Sequence, residues 1–320
     1  KLEQNYRSTA NILNAANAVI SHNHGRKDKT LWTANDEGPK VRFRQYDTAY
    51  EEADAIIRDI EREKEEKNAE YSDFAVLYRT NAQSRLLEEK CIYYSIPYRL
   101  VGGVNFYQRK EIKDILCYLK TIANGRDDLA VQRVINVPKR GIGATSIGKV
   151  TIYASANGMS FYDALLRVRG VPTIGKAADK IEKFTEQIEN FRSRLSVLSI
   201  PELIEAILEE TGYKKDLEAE GEIEGETRLQ NVEELVNKAT GYMSTAEEPT
   251  LDGFLEEVAL VADVDSLDES ENRIVLMTLH GAKGLEFPYV YLSGMEDGLF
   301  PSSMSIFSDD KDAIEEERRL

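Results

Sequence analysis

The feature that most limits the possible folds is a hydrophobic pattern that changes twice along the chain. Short apolar runs typical of strands alternate with helical patterns at first, then residues 107–270 carry helical spacing almost alone, and strand patterns return at residue 272. Alternating strands and helices favour a parallel α/β sheet. We therefore predict an α/β domain, residues 1–106 with 271–320, that is interrupted by a mostly α-helical inserted domain, residues 107–270.

Individual segments follow the same two periods. Strands are predicted where apolar residues run together or alternate, namely at 40–46, 73–79, 96–103, 272–280 and 288–294. Helices are predicted where apolar residues recur at helical spacing, with examples at 8–22, 50–67, 82–95, 111–124, 177–198, 200–212 and 250–264. Ser8 or Thr9 is expected to cap the first of these helices with its side chain.

Composition narrows the possible classes of protein. The 320 residues suffice for two domains, and a hydrophobic fraction of 42% predicts a soluble globular chain without a membrane span. The net charge of −16 argues against coating nucleic acid by bulk charge, although it leaves room for local basic patches. Cys91 and Cys117 are expected to be reduced and buried, which predicts a cytoplasmic location. The 3 histidines and the absence of C-x-x-C predict no metal site in this chain.

Both ends of the sequence lie inside patterned segments. The chain begins with KLEQNYRST, which has the character of a motif, and it ends in DAIEEERRL, a charged helical pattern without a Gly or Pro stop signal. We therefore expect the sequence to be a fragment of a longer protein.

Three polar segments of the α/β part are candidates for a site. QNYRS at 4–8 opens this part, whereas LYRTNAQSR at 77–85 and TLHGAKGLEF at 278–287 stand at predicted strand ends. Ligands of open α/β sheets gather at the carboxyl ends of strands, and glycines bring the backbone close to a polyanion. Taken singly, QNYRS is better explained by a surface pair of Arg and Tyr, and TLHGAKGLEF by a turn at a strand exit. A phosphate-binding G-x-x-x-x-G-K-[ST] loop does not occur in the sequence.

A further segment, VPKRGIGATSIGK, lies in the predicted helical domain. Gly141 and Gly143 open a tight turn before a helix, with Lys139, Arg140 and Lys149 nearby. Backbone amides at a helix start can hold a phosphate of DNA. A glycine-rich connector with solvated lysines explains the same residues equally well.

The chain resembles the superfamily 1A DNA helicases of the PcrA/UvrD/Rep group over essentially its whole length. The resemblance is carried by motifs that occur here in the order of that family: LEQNYRST, LYRTNAQSR, IPYRLVGGVNFYQRKEIKDIL, VPKRGIGATSI, MTLHGAKGLEF, GMEDGLFP and EEERRL. It implies the second RecA-like domain (2A; residues 1–106 and 271–320) of a P-loop NTPase fold that lacks the P-loop half. It also implies that the helical insert is domain 2B (residues 107–270).

The resemblance further implies an ATP-dependent 3′→5′ DNA helicase that translocates on single-stranded DNA and unwinds duplex DNA in repair and replication. ATP with Mg²⁺ would lie between this domain and an N-terminal RecA-like domain, whose phosphate loop and Mg²⁺ ligands are outside this chain, so the chain alone is expected to be inactive. Repair or replication proteins are possible further partners. The alternatives are a subunit of a recombination helicase–nuclease and a non-catalytic DNA-binding regulatory module.

Several nucleotide contacts are implied by motif position in the family. Arg7 would be an arginine finger on the γ-phosphate, Tyr6 would stack on adenine, Glu286 would bind the ribose, and Gly284 would lie against the nucleotide.

DNA contacts are implied in the same way. Asn81 and His280 would contact single-stranded DNA. The glycine turn would contact duplex DNA through Lys139, Arg140, Gly141, Gly143 and Lys149.

Overall fold

The structure is a computed structural model that describes residues 3–24, 29–264, 272–308, 310 and 312–320. The strands are β1 (Gln4–Asn5), β2 (Trp32–Thr33), β3 (Phe74–Tyr78), β4 (Tyr98–Val101), β5 (Ile274–Thr278) and β6 (Tyr289–Leu292). The helices are α1 (Ala10–Ile20), α2 (Ala49–Lys67), α3 (Ser84–Tyr93), α4 (Lys110–Ala123), α5 (Asp128–Val134), α6 (Ala144–Ala156), α7 (Phe161–Leu166), α8 (Ala177–Ser193), α9 (Ile200–Thr211), α10 (Tyr213–Glu218), α11 (Glu222–Thr245), α12 (Leu251–Val264), α13 (Ser303–Ile306) and α14 (Ala313–Arg319).

The chain divides into two compact units. The first, which we call the sheet unit, consists of Lys1–Gly103 and Asp268–Leu320. The second, the helical unit, is the continuous segment Val104–Leu267. The predicted joint that leads back into the sheet unit lies largely in residues 265–271, outside the described residues. The assignment of the two units to domains 2A and 2B stays a prediction.

A four-stranded parallel sheet forms the centre of the sheet unit, in the order β4-β5-β3-β6. The predicted parallel α/β architecture is confirmed. β3 lies between β5 and β6 and is buried along its whole length, as is almost all of β5. Strands covered on both faces read as continuous apolar runs, which is why FAVLY and IVLMT were recognisable in the sequence.

Each face of this sheet contributes to a separate apolar core. On one face, Phe74, Val76 and Tyr78 pack with residues of α2 and α3 that include Ile57 and Leu87. The opposite face forms a smaller cluster of buried residues, namely Ala75, Leu77, Val275 and Met277. Because successive side chains of a strand point to opposite faces, the single run FAVLY supplies both cores.

The predicted strand at 40–46 is wrong, since this fully described stretch contains no strand. The sequence alternates as a half-buried strand would, but the apolar positions face outward. Val41 is 62% exposed and Phe43 is 82% exposed.

These apolar side chains face outward because the neighbouring helix α2 is acidic. Arg42 contacts the Glu63 carboxylate at 2.8 Å, and Arg44 contacts Asp59 at 3.2 Å. Both carboxylates are buried, and a buried charge needs a partner. The two arginines therefore point to the helix, which leaves Val41 and Phe43, the residues that alternate with them, in solvent.

Helix α1 is shorter and more exposed than the helix predicted at 8–22. Leu13 is its only buried residue, and Ile12 and Val19 are about half exposed. Thr9 occupies the N-cap position, but its side chain makes no capping bond within the described part of the chain, so the expected side-chain cap is wrong.

The helical unit encloses one continuous apolar core. Its largest fully buried side chains are Phe106, Tyr118, Phe161, Phe184, Phe191, Tyr213 and Phe254. The first helix of the unit, α4, also carries a buried polar face. Glu111 accepts a hydrogen bond from Asn231 of α11 at 2.6 Å, and Asp114 accepts one from the Tyr213 hydroxyl at 2.6 Å. Burial and the nearby Asp114 carboxylate raise the pKa of Tyr213, so this hydroxyl remains a donor.

No helix in the described part of the chain is long and apolar enough to cross a membrane.

Candidate functional site

Two segments far apart in sequence line one open cavity in the sheet unit. The cavity has a volume of about 820 Å³, and its lining residues are Gln4, Asn5, Tyr6, Arg7, Glu286, Phe287 and Pro288. The predicted nucleotide residues Tyr6, Arg7 and Glu286 are thus brought together.

An ion pair joins the two walls of this cavity. The Arg7 Nε donates to Glu286 Oε2 at 2.9 Å, and the two side chains are 54% and 70% exposed. An exposed pair of this kind contributes only about 0–1 kcal/mol, so a ligand can replace it at small cost. The guanidinium is suited to a phosphate and the carboxylate to a sugar hydroxyl.

Tyr6 stands beside this pair with 79% of its surface exposed. Its hydroxyl donates to Gln4 Oε1 at 2.9 Å, which tethers the outer end of the ring while its faces stay accessible. A free aromatic face can stack on a base without reading its identity. The residues present therefore fit a nucleotide, with an aromatic ring, a cation and an acceptor on one surface.

Asn5 shapes the turn that carries Arg7, a role that the motif analysis did not assign. Its side-chain Oδ1 accepts hydrogen bonds from the main-chain N–H groups of Arg7 at 2.9 Å and Ser8 at 2.8 Å. Asparagine commonly bonds the backbone two residues further on in this way. The sequence signal was present in QNYRS, since an asparagine two residues before the arginine can start such a turn.

The second wall begins where β5 ends. A short 3₁₀ helix spans His280–Ala282, and Gly284 follows with φ of +89°. That backbone conformation favours glycine, and no described atom lies within 4 Å of the place where a Cβ would stand. Gly284 thus turns the chain toward Glu286, while the unassigned Lys283 lies exposed before it.

The two residues predicted to contact single-stranded DNA follow adjacent strands. Asn81 comes shortly after β3 and His280 shortly after β5, and these strands are parallel, with Tyr78 in register with Thr278. Their carboxyl ends therefore meet at one edge of the sheet. His280 is exposed and Asn81 is half-buried.

An ion pair at this edge was missed by the sequence analysis. Arg79 contacts the Glu317 carboxylate through Nε at 3.0 Å and through Nη2 at 3.1 Å, and the Ser305 hydroxyl donates to the same carboxylate at 3.0 Å. Burial acts to raise the pKa of Glu317, but these hydrogen bonds outweigh it, so that the pKa lies below its ordinary value. The pair ties α14 to the end of β3.

The glycine turn of the helical unit has a defined shape. Gly141 has φ of +70°, Gly143 is the N-cap of α6, and no side chain caps this helix start within the described residues. The Asn136 Oδ1 accepts hydrogen bonds from the N–H groups of Arg140 at 2.8 Å and Ile142 at 3.2 Å. Those two amides are therefore already bonded within the turn.

The guanidinium of Arg140 is hydrogen-bonded to groups of the protein. Its guanidinium donates to the carbonyl oxygens of Val134, Ile135, Val137 and Pro138, to the Tyr118 hydroxyl and to Gln187 Oε1, at distances of 2.7–3.4 Å. All of these contacts are made by Nη1 and Nη2, which carry four of the five N–H donors of a guanidinium. Arg140 therefore has a structural role in the turn, and its contact with duplex DNA stays a prediction.

The lysines of this turn remain at the surface. Lys139 is exposed, while the Lys149 Nζ donates to the Thr173 carbonyl at 2.6 Å. Lys180 of α8, which the sequence analysis did not connect with the turn, donates to the Gly141 carbonyl at 3.2 Å. These contacts to single surface carbonyls leave each ammonium able to meet an anion.

The segment from Gly143 to Val150 approaches the spacing of a phosphate-binding loop, with Val150 where that loop has Ser or Thr. Such a loop must precede a helix so that its amides surround the phosphates. Here Gly148 and Lys149 lie within α6, and Val150 is fully buried. The segment cannot serve as a phosphate-binding loop in this fold.

The parallel α/β fold of the sheet unit is that of a RecA-like domain, and comparison with known proteins agrees. The family model of the UvrD-like helicase C-terminal domain matches residues 1–320. The chain belongs to this family.

Individual relatives carry the comparison further. The chain is 46% identical over 325 residues to the ATP-dependent DNA helicase PcrA of Bacillus subtilis. It is also 46% identical to the proteins of that name from Staphylococcus epidermidis and Staphylococcus aureus, over 321 and 322 residues. In each case the match covers 100% of this chain and 44% of the relative. The chain therefore spans less than half the length of these relatives.

Proposed function

We propose that the chain is the C-terminal motor half of an ATP-dependent DNA helicase. The observation that carries this proposal is the Arg7–Glu286 pair beside the exposed ring of Tyr6, because it sets a cation, an acceptor and a stacking face on one open surface. The names of the relatives also favour a helicase over a purely regulatory DNA-binding module.

Each group of this cavity has a distinct proposed task. Tyr6 stacks on the adenine, and Glu286 accepts a hydrogen bond from the ribose. Arg7 exchanges its carboxylate partner for the γ-phosphate and stabilises the charge that develops there during transfer. Arginine suits this task because it is permanently charged and can donate two parallel hydrogen bonds.

The remaining parts of the nucleotide site are proposed to come from a second RecA-like domain. The 320 residues contain no G-x-x-x-x-G-K-[ST] loop, so the phosphate loop and the Mg²⁺ ligands must be supplied from outside them. We expect the isolated chain to show no meaningful ATPase activity. Turnover typical of a complete motor in a steady-state assay of this chain would disprove the half-site.

Single-stranded DNA is proposed to lie across the carboxyl edge of the sheet, in contact with Asn81 and His280. A nucleotide at Glu286 and a DNA strand at His280 would then touch the same segment, the one that follows β5, so closure around ATP would move the DNA. We propose translocation with 3′→5′ polarity, in the cytoplasm and in the service of repair and replication.

Duplex DNA is proposed to meet the glycine turn of the helical unit. Gly141 and Gly143 allow close approach of a phosphate, while Lys139 and Lys149 supply positive charge. Arg140 takes a supporting role in this revised set, because its guanidinium already holds the carbonyls of the turn.

A strand-displacement assay of the full-length protein tests this proposal. We expect ATP-dependent unwinding of a duplex with a 3′ single-stranded tail and little unwinding of the same duplex with a 5′ tail. Binding of both substrates without ATP-dependent displacement of either would instead support a DNA-binding module without motor activity.

A further inference from the structure

The segment Thr33–Gly38, with the sequence TANDEG, runs beside the turn that carries Arg7. We call it the 33–38 loop. It follows β2, and β2 pairs with β1, so that Gln4 is in register with Trp32. The loop has no role in the proposed nucleotide site. Its hydrogen bonds nevertheless reach Tyr6, Ser8, Ala10 and Asn11, the residues on both sides of Arg7 and at the start of α1.

The loop first caps helix α1. The main-chain N–H groups of Ala10 and Asn11 donate to the carbonyl oxygens of Asp36 at 3.2 Å and Glu37 at 3.0 Å. The first amides of a helix lack partners within it and need acceptors from elsewhere. Here the acceptors come from a loop more than twenty residues further along the chain. The loop thus fixes where α1 begins, just after the turn that carries Arg7.

The loop also holds both sides of Arg7. The Asn35 Nδ2 donates to the carbonyl of Tyr6 at 3.3 Å and to the carbonyl of Ser8 at 3.1 Å. The Asn35 N–H in turn donates to Thr33 Oγ1 at 3.1 Å, which orients the asparagine within its own loop. One side-chain amide thus bridges the peptide before Arg7 and the residue after it.

Gly38, at the far end of the loop, packs closely against Thr9 and Asn11. Gly38 has φ of +70°, and a Cβ at this position would come within 2.5 Å of the Thr9 side chain. Its carbonyl accepts a hydrogen bond from Asn11 Nδ2 at 2.8 Å. Glycine is required here both by the backbone conformation and by the close approach.

We propose that Asn35 is a positioning residue for Arg7. Asn5 bonds the N–H groups of the turn from within, and Asn35 bonds its carbonyls from the 33–38 loop, so the Cα of Arg7 is held between two asparagines. Because the Arg7 side chain is largely exposed, its aim at a phosphate depends on this backbone. The inference rests on the proposed function of Arg7 and adds the element that orients it.

The test is a double-mutant cycle in the full-length protein. We expect Asn35→Ala to lower the kcat of DNA-stimulated ATP hydrolysis about 10-fold, since a displacement of about 1 Å can cost up to 10²-fold in rate. In the Arg7→Ala background, the same substitution should leave kcat unchanged, because the group that Asn35 positions is gone. Asn35→Asp, which keeps the volume but cannot donate, should match Asn35→Ala in both backgrounds.

A matched control is Asn157→Ala. Asn157 also donates its side-chain amide to a carbonyl, that of Tyr153 at 2.8 Å, but in the helical unit. It should leave kcat at the wild-type value.

The outcomes separate two kinds of failure. If Arg7→Ala lowers kcat but Asn35→Ala does not, the positioning role is wrong and the proposed function stands. If Asn35→Ala lowers kcat equally with and without Arg7, its effect is general destabilisation and the inference is overturned. If Arg7→Ala itself has no effect, the proposed function fails, and the inference fails with it.

Discussion

Arg7 and Glu286 are 279 residues apart in the sequence, and their side chains meet at 2.9 Å. A nucleotide held by both would have to separate them, because each side chain would turn from its protein partner to a ligand atom. Since the pair is exposed and weak, this exchange costs little and leaves both groups already at the site. The pair therefore holds the two walls of the cavity next to each other before a ligand binds.

The two members of this pair should respond differently to mutation. We expect Glu286→Ala to raise the KM for ATP about 10-fold with kcat nearly unchanged, because a ribose contact hardly differs between ground and transition states. Glu286→Gln keeps a hydrogen-bond acceptor and should fall between Glu286→Ala and the wild type. Steady-state ATPase kinetics measure both constants, and a fall in kcat with an unchanged KM would remove the ribose assignment.

The Arg79–Glu317 pair should stabilise the sheet unit. Glu317 is only 7% exposed and accepts hydrogen bonds from a charged donor, so Glu317→Gln should lower the free energy of unfolding by about 1.5–3 kcal/mol. The matched control is Glu316→Gln, whose side chain is 70% exposed and should change stability by less than about 0.5 kcal/mol. Urea unfolding of this chain provides the comparison, and equal losses for both variants would contradict the assignment.

The same pair should make stability depend on pH. The folded-state pKa of Glu317 lies below its ordinary value, so the carboxylate stabilises the fold fully above its unfolded pKa of about 4.3. That contribution is lost as pH falls through the lower folded pKa. The difference in unfolding free energy between the wild type and Glu317→Gln should therefore be greatest near neutral pH and shrink below about pH 4. A difference that grows on acidification would be incompatible with this pair.

We expect Arg140 to stabilise the glycine turn and its neighbour Lys139 to bind DNA. Arg140→Ala removes donors from several buried or half-buried acceptors and should lower the thermal unfolding temperature of the helical unit by several degrees. Lys139→Ala should leave that temperature unchanged and weaken binding to a duplex–single-strand junction. Calorimetry and fluorescence anisotropy check the two effects. An Arg140→Ala protein of normal stability that binds the junction poorly would return Arg140 to the DNA contacts.

Salt dependence should show how few phosphates the turn neutralises. Each neutralised phosphate contributes about −0.9 to the slope of log K against log salt, so two or three contacts give a slope of roughly −2 to −3 for the helical unit. Lys139→Ala and Lys149→Ala should each make the slope for junction binding about 0.9 shallower, with single-stranded DNA unaffected. An anisotropy titration across a salt series measures this, and equal changes on both substrates would reduce the turn to a connector.

Sequence patterns identified the buried parts of the fold better than its surface. The run at Phe74–Tyr78 was recognisable because burial on both faces leaves no polar position in it. The strand predicted at 40–46 is absent, and its apolar residues are exposed because Arg42 and Arg44 turn to the buried Glu63 and Asp59 of α2. Helical spacing predicted α1, but nothing in the spacing showed that most of its apolar residues would stay exposed.

The candidate site was found through motif order, whereas the residues that support it were not. Asn35 bonds Tyr6 across 29 positions and Arg79 bonds Glu317 across 238, so no local pattern connects them. Arg140 has contacts that the sequence also did not reveal. An arginine beside glycines suggests a phosphate contact, but the carbonyls that converge on its guanidinium become visible only once the turn is folded.

The most direct test of the central claim is the kcat for DNA-stimulated ATP hydrolysis of the full-length Arg7→Ala protein. Arginine fingers in other nucleotide hydrolases contribute roughly 10³ to 10⁵ in rate, and we expect the lower end of that range, about 10³-fold, here. Arg7→Lys should recover little, since it cannot form the same paired hydrogen bonds. DNA binding should remain nearly intact in both variants. A near-normal kcat for Arg7→Ala would contradict the account.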